Sequence, residues 1–192
     1  MEQKVFIAKD VTTNPAPLGL AGFGLTTILL NLHNAGLFGL DTMIMGMGIM
    51  MGGLIQILVG MLEWKKNNMF GMMAFSSYGA FWISLVFIWI FPKMGLGEAP
   101  SATAMGYYLT VWGIYTVGFW VATFKMTKTM MFLFATVVVL FALLAIANFT
   151  GSHLIHTIAG IEGVICGATA LYISIGTLLV EVYGKQILPM PY

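Results

Sequence analysis

The sequence is poor in charged residues. Aspartate, glutamate, lysine and arginine together make up only 8% of its 192 residues, and arginine is absent. Soluble domains carry roughly 25% charged residues, so these few cannot cover a water-soluble surface. The formal net charge is only +1, whereas proteins that bind nucleic acid are usually strongly basic. We therefore expect a protein that is not water-soluble and has no nucleic acid partner.

Cysteine is almost absent too. The one cysteine, Cys166, lies in an apolar run and cannot form an intrachain disulfide. Together with three scattered histidines, it does not form the ligand pattern of a zinc or haem site. We expect no bound metal and no cofactor, and we do not expect an enzyme.

Apolar residues dominate the chain. They account for 59% of it and recur in runs of roughly 20 residues, the length at which a helix crosses a bilayer. We predict an all-α integral membrane protein with six transmembrane helices at residues 18–37, 43–61, 70–91, 104–124, 130–147 and 154–179. A segment at 1–17 would precede this six-helix domain (18–179), and a tail at 180–192 would follow it.

The lysines predict the orientation of the helices, because cytoplasmic loops carry an excess of basic residues. With six spans, Lys93 lies on one side of the membrane. Seven lysines lie on the side that holds both termini: Lys4, Lys9, Lys65, Lys66, Lys125, Lys128 and Lys185. Both termini are therefore predicted to be cytoplasmic.

Polar side chains inside a bilayer are costly, so their positions are informative. In helix 1, Thr27, Asn31 and Asn34 follow one another at intervals of four and three residues, which places them on one face. Phe23 extends this stripe toward the cytoplasm. We interpret the stripe as one wall of a route through the protein.

Helix 5 repeats the pattern, with Val137 at the inner end of a face and Asn148 at the outer end. Phe23, Tyr78 and Val137 each lie about 10 Å into their helices from the cytoplasmic side, and Gln56 lies at a similar depth. The pattern predicts a polar outer vestibule above an apolar constriction. The alternative is that these polar groups only hydrogen-bond to neighbouring helices.

Three ionisable residues lie in or beside helix 6 near polar groups. Glu162 is the only acidic residue well inside a span, and it is either a proton-coupling site or a carboxylic acid bonded to a neighbouring helix. His153 and His156 lie near the external end of the same helix, where we expect them to be solvated.

The start of helix 1 has a recognisable composition at residues 14–20, Asn-Pro-Ala-Pro-Leu-Gly-Leu. Asparagine is a favoured N-cap, and proline suits a first helical turn. The unpaired N–H groups of such a helix end suit an anion, and transporters use them to hold substrate carboxylates. Asn14, Leu18 and Gly19 are therefore candidate substrate-binding residues.

The same seven residues resemble the signature of the acetate uptake transporter family. The likeness continues at residues 22–34, 62–66, 75–79, 139–146 and 188–189, so it extends over nearly the whole chain. It implies six-helix protomers arranged in a homohexamer, each with its own pathway for acetate and, in some members, succinate.

The resemblance also assigns roles to residues. In the family a Phe, a Tyr and a Leu narrow the pathway; Phe23 and Tyr78 match, whereas Val137 replaces the leucine and predicts a wider constriction. Asn148 resembles the family's polar residue on helix 5, and Glu63 its acid after helix 2, which is a second candidate for proton coupling.

These observations predict a transporter or channel of the cell membrane for acetate and other small carboxylates such as succinate. Asn34 and Asn148 would capture the substrate outside, and Thr27 or Gln56 would contact it on the inner side, with Asn31 as a further candidate substrate-binding residue. A channel for ammonia or another small neutral solute is the main alternative. A membrane-embedded enzyme and a purely structural or sensory protein are further alternatives.

Overall fold

A computed structural model of the protein describes residues 12–189. Within this range the chain forms six long helices and no strand: α1 (Ala16–Asn34), α2 (Thr42–Lys65), α3 (Met69–Ile90), α4 (Ala102–Ala122), α5 (Lys128–Thr150) and α6 (His153–Tyr183). The all-α, six-helix prediction is confirmed. Lys4 and Lys9, which contribute to the predicted orientation, lie outside the described residues.

Five of the helices are long and apolar enough to cross a membrane, and α4 falls below that hydropathy. α4 nevertheless has 21 residues and no charged side chain. Its glycines, tyrosines and threonines lower its mean hydropathy, but its length corresponds to about 30 Å, the thickness of a bilayer core.

Side-chain caps explain where most helices begin. The side chains of Asp41, Asn68, Ser101, Thr127 and Ser152 each accept hydrogen bonds from the first-turn N–H groups of α2, α3, α4, α5 and α6, respectively. Such caps satisfy amides that would otherwise be unpaired in a membrane. The short loops between these helices make neighbouring helices antiparallel.

The helix ends depart from the predicted spans by about one turn. α1 ends at Asn34, because Gly36 turns the chain away with a φ of 90°. α6 extends to Tyr183 and ends where Gly184 takes a φ of 65°. Left-handed backbone of this kind favours glycine and terminates helices.

Glycines determine which helices approach closely. A Cβ atom on Gly24 of α1 would lie 2.7 Å from the carbonyl oxygen of Gly167 of α6, so neither position accommodates a larger residue without movement. Gly163 faces the side chain of Asn31 in the same interface. Gly163 and Gly167 therefore bring α6 close to α1, as small residues do between membrane helices.

α2 contains a π-helical segment, Gly48–Ile55, between two α-helical parts. Gly22 of α1 lies directly against the backbone carbonyl of Met51 in this segment. The hydroxyl of Thr26 donates to the carbonyl of Gly22 at 2.8 Å, and the carbonyl of Met47 lies 3.4 Å from the same hydroxyl. π-helical segments occur frequently at functional sites, and this one leads directly into Gln56.

Candidate functional site

Two cavities lie one above the other within the helical bundle. The inner cavity, of about 380 Å³, lies toward the end of the bundle that carries Lys65, Lys66, Lys125 and Lys128 and is lined by residues that include Asn14, Gln56 and Asn68. The outer cavity, of about 210 Å³, lies toward the opposite end and is lined by residues that include Asn31, Asn34 and Asn148.

Phe23, Tyr78 and Val137 line both cavities and are therefore the residues that separate them. They come from α1, α3 and α5. The ring centroids of Phe23 and Tyr78 are 5.9 Å apart and tilted by 57°. The structure thus brings together, between the two cavities, the three side chains for which the sequence predicts a constriction.

Aromatic packing holds the Tyr78 ring in this position. Its centroid lies 5.8 Å from that of Phe119, 6.3 Å from that of Phe134 and 6.4 Å from that of Trp112. Its hydroxyl oxygen lies 2.9 Å from Oγ1 of Thr116 on α4. Tyr78 is therefore buried on several sides, and little room is left for its ring to move.

The polar residues of α1 form a chain of amide hydrogen bonds along the wall of the outer cavity. Nδ2 of Asn34 donates to Oδ1 of Asn31 at 3.0 Å, and Nδ2 of Asn31 donates to the carbonyl of Thr27 at 2.9 Å. The Thr27 hydroxyl is buried next to this chain and has no hydrogen-bond partner within residues 12–189. Thr27, Asn31 and Asn34 all line the outer cavity, so Thr27 lies on the outer side of the constriction and not on the inner side as predicted.

α5 contributes the facing wall, so the two predicted stripes meet. Asn148 lines the outer cavity and donates from Nδ2 to the carbonyl of Leu144 at 2.9 Å. The predicted face of α5 that begins at Val137 is present there, together with Phe141 and Leu144. Asn34 and Asn148 therefore face the same space.

Two histidines also line the outer cavity, and His33 is not among the residues for which the sequence predicts this. His33 of α1 has Nδ1 2.8 Å from the carbonyl of Phe38, and His156 of α6 has Nε2 3.2 Å from Oδ1 of Asn34. His156 was expected to be solvated. It is instead half-buried against α1, because the glycines of α6 bring these two helices together.

The inner cavity has one deeply buried polar residue. Gln56 is 1% exposed, and its Nε2 donates to the carbonyl of Gly52 at 2.7 Å. This bond fixes the orientation of the amide, so Oε1 is the free acceptor, and it has no hydrogen-bond partner in the described part of the chain. Such an acceptor suits a ligand that can donate a hydrogen bond.

The predicted anion site at the start of α1 is corrected by the structure. The N–H of Ala16 donates to Oδ1 of Asn14 at 3.0 Å, Pro17 has no N–H, and the N–H of Leu18 donates to the carbonyl of Pro15 at 3.1 Å. The first-turn amides are therefore engaged. Asn14 does line the inner cavity, as a cap on the helix.

Leu18 and Gly19 line neither cavity. Leu18 is 44% exposed on the outside of the bundle. Gly19 packs against the ring of Phe75, which would lie 2.5 Å from a Cβ atom at that position. The structure therefore gives Gly19 a packing role and does not bring either residue to the candidate pathway.

The two acidic candidates for proton coupling also lie outside the cavities. Oε2 of Glu63 accepts a hydrogen bond from Nδ2 of Asn68 at 2.7 Å, at the junction of α2 and α3. Both carboxyl oxygens of Glu162 are buried, and neither has a hydrogen-bond partner among residues 12–189. Glu63 is thus connected to the inner cavity through Asn68, whereas Glu162 is not.

Comparison with known proteins decides the family. The profile of the GPR1/FUN34/yaaH family matches residues 3–185. This chain belongs to that family. The resemblance inferred from the sequence motifs is thereby confirmed.

The chain is similar to proteins that are named as transporters. The chain is 52% identical over 177 residues to the succinate-acetate/proton symporter SatP of Escherichia coli, covering 92% of this chain and 94% of that protein. It is 40% identical over 167 residues to the ammonia transport outward protein 2 of Saccharomyces cerevisiae, covering 83% of this chain and 59% of that protein.

A solved structure within the family supports the fold. The structure of the bacterial acetate channel SatP superimposes with a TM-score of 0.92 at 51% sequence identity, covering 93% of this chain and 99% of that chain. The protein is accordingly a multi-pass membrane protein with the helical arrangement of an acetate channel.

Proposed function

We propose that this family member carries acetate and other small carboxylates, including succinate, across the cell membrane through each protomer. The observation that supports this proposal most strongly is the shared lining of two cavities by Phe23, Tyr78 and Val137. An outer cavity with amide and imidazole side chains, an apolar constriction and a second cavity in series form a route for a small solute, and apolar constrictions of this kind gate by dewetting.

The constriction favours the neutral acid over the carboxylate. Among residues 12–189, no lysine and no acidic residue lines either cavity, and the first N–H groups of α1 are engaged. A carboxylate entering the constriction would lose its hydration without a compensating charge, which costs several kcal/mol. The protonated acid avoids that cost, and its hydroxyl can donate to the free Oε1 of Gln56.

Transport of the neutral acid would be equivalent to symport of carboxylate and proton, which agrees with the name of the relative from Escherichia coli. Glu63 and Glu162 remain proposals for proton coupling by side chains outside the cavities. We also propose a homohexamer, the assembly that the family resemblance implies, and mass photometry of the purified protein would test this.

The function is tested by the flux of labelled acetate into proteoliposomes with and without an imposed pH gradient. We expect flux well above that of protein-free liposomes, and we expect it to increase when the outside is more acidic. Phe23→Ala and Tyr78→Ala should change the flux, because both enlarge the constriction. Unchanged flux in both variants would contradict the gate assignment, and no flux in the wild type would contradict the function.

A second candidate is conduction of ammonia, supported by the name of the relative from Saccharomyces cerevisiae and by the largely apolar linings. Competition separates the two candidates. If acetate is the substrate, formate should compete with labelled acetate and ammonium should not. Competition by ammonium alone would favour ammonia.

A further inference from the structure

The outer cavity differs from the inner cavity in the side chains that can exchange a proton. His33 and His156 both line the outer cavity, whereas no histidine, acidic residue or lysine in the described range lines the inner one. Histidine is the side chain that ordinarily changes charge between about pH 5 and 8. The two histidines come from α1 and α6, which pack closely through their glycines.

The amide chain of α1 determines which nitrogen of His156 carries a hydrogen. The carbonyl of Thr27 can only accept, so Asn31 donates to it from Nδ2 and presents Oδ1 to Nδ2 of Asn34. Asn34 therefore presents its own Oδ1 to Nε2 of His156, 3.2 Å away. Because that oxygen only accepts, Nε2 of His156 must be the donor, and Nδ1 is left as the basic nitrogen.

The same reasoning applies to His33. Its Nδ1 lies 2.8 Å from the carbonyl oxygen of Phe38, which only accepts. Nδ1 therefore carries the hydrogen, and Nε2 is the basic nitrogen. Each imidazole is thus held through one nitrogen, and it can gain or lose a proton at the other nitrogen without breaking the bond that holds it.

We propose that His33 and His156 form a proton-loading site that captures a carboxylate in the outer cavity and protonates it before it crosses the constriction. This inference rests on the proposed function. A proton from the external water binds to Nδ1 of His156 or Nε2 of His33, and the resulting imidazolium attracts the carboxylate. The N–H bond then breaks as the O–H bond of the acid forms, leaving a neutral imidazole and a neutral acid.

The surroundings of His156 supply few other groups that could take this role. From α1 it faces His33 and the amide of Asn34, and α5 contributes Asn148. His153, one turn earlier on α6, is exposed and lies outside the outer cavity, and it lines a separate, more open cavity together with His156 and Asn148. Tyr78, which lines the far side of the cavity, lies against Thr116 through its hydroxyl.

The test compares acetate flux into proteoliposomes at two external pH values. Carboxylic acids ordinarily titrate near the first value, about 4.5, and histidines ordinarily titrate near the second, about 6.5. The variants are His33→Gln, His156→Gln and the double variant. Glutamine keeps a side-chain N–H donor but cannot be protonated. His153→Gln is the matched control, because it makes the same change one helical turn away, outside the outer cavity.

We expect the double variant to lose most of its flux at about pH 6.5, on the order of tenfold, while near pH 4.5 it approaches wild-type flux because the substrate is already partly protonated in solution. Each single variant should lose part of the flux at the higher pH only. His153→Gln should match the wild type at both values. Elution of each variant at the wild-type volume on size exclusion shows that it is folded.

Three results would overturn the proposal while leaving acetate transport established. One is a double variant with the pH profile of the wild type, and another is an equal loss of flux at both pH values, which would indicate a structural role. The third is a loss in His153→Gln as large as that in the double variant. An absence of flux in the wild type itself would instead contradict the proposed function.

Discussion

The hydroxyl of Tyr78 donates its hydrogen bond to Oγ1 of Thr116, 2.9 Å away on α4. The direction follows from a second contact: the Thr116 hydroxyl lies 2.7 Å from the carbonyl of Trp112, which can only accept, so the single hydrogen of Thr116 is directed there. The hydroxyl hydrogen of Tyr78 is therefore directed toward α4, and the ring is the part of Tyr78 that forms the constriction.

This geometry predicts that Tyr78→Phe retains acetate flux. The ring stays in place, and the substrate loses no hydrogen bond, so flux should change by less than about twofold, while the lost interhelical bond costs about 0.5–1.5 kcal/mol of stability. Tyr78→Ala is the contrasting variant, since it removes the ring. If the flux of Tyr78→Phe fell to the level of protein-free liposomes, the hydroxyl would act on the substrate.

Gln56 is predicted to contact the substrate through its free Oε1 on the inner side of the constriction. Gln56→Leu removes that acceptor and should lower the flux of acetate by about fivefold, which corresponds to one hydrogen bond of about 1 kcal/mol. Leu58→Ala, on the exposed side of the same helix, is the control for general effects on α2. Wild-type flux in Gln56→Leu would show that Gln56 does not contact the substrate.

Gly163 is predicted to maintain the position of the amide chain in the outer cavity. A Cβ atom at Gly163 would collide with the side chain of Asn31, so Gly163→Ala should destabilise the protein by about 1–3 kcal/mol and lower flux. Gly118→Ala is the matched control, because no atom of another helix lies within 4 Å of a Cβ atom there. Thermal unfolding in detergent measures the stability of both variants. Equal unfolding temperatures would contradict the packing role of Gly163.

Val137 is predicted to set the size limit of the constriction. Val137→Leu adds one methylene to the constriction. It should reduce succinate flux by about tenfold and acetate flux much less, because one methylene in an apolar pocket changes the selectivity between two substrates by about tenfold or more. The ratio of succinate to acetate flux in the same vesicles is the measurement. An unchanged ratio would show that another residue limits substrate size.

Much of this arrangement could be predicted from sequence because it depends on local periodicity. Thr27, Asn31 and Asn34 lie at helical spacing, and helix direction places Phe23 and Val137 at one depth. Hydropathy indicates five of the six helices, and the distribution of the lysines supports the sixth, α4. The depth of Tyr78 in its helix is consistent with a place in the constriction, and the family resemblance assigns it there.

The remaining features depend on contacts between distant segments. His156 bonds to Asn34, 122 residues earlier in the chain, and no local pattern indicates that pairing. The first N–H groups of α1 are engaged by Asn14 and Pro15, which a composition-based prediction of free amides misses. The π-helical segment Gly48–Ile55 is packed against Gly22 of another helix.

The central claim is that solute passes between the two cavities at Phe23, Tyr78 and Val137. Acetate flux in proteoliposomes of Val137→Phe, compared with Val139→Phe, tests it most directly. Val137 is 3% exposed and lines both cavities, whereas Val139, two residues later on α5, is 47% exposed on the outside of the protomer. We predict that Val137→Phe reduces flux to the level of protein-free liposomes and that Val139→Phe transports like the wild type. Wild-type flux in folded Val137→Phe protein would contradict the account.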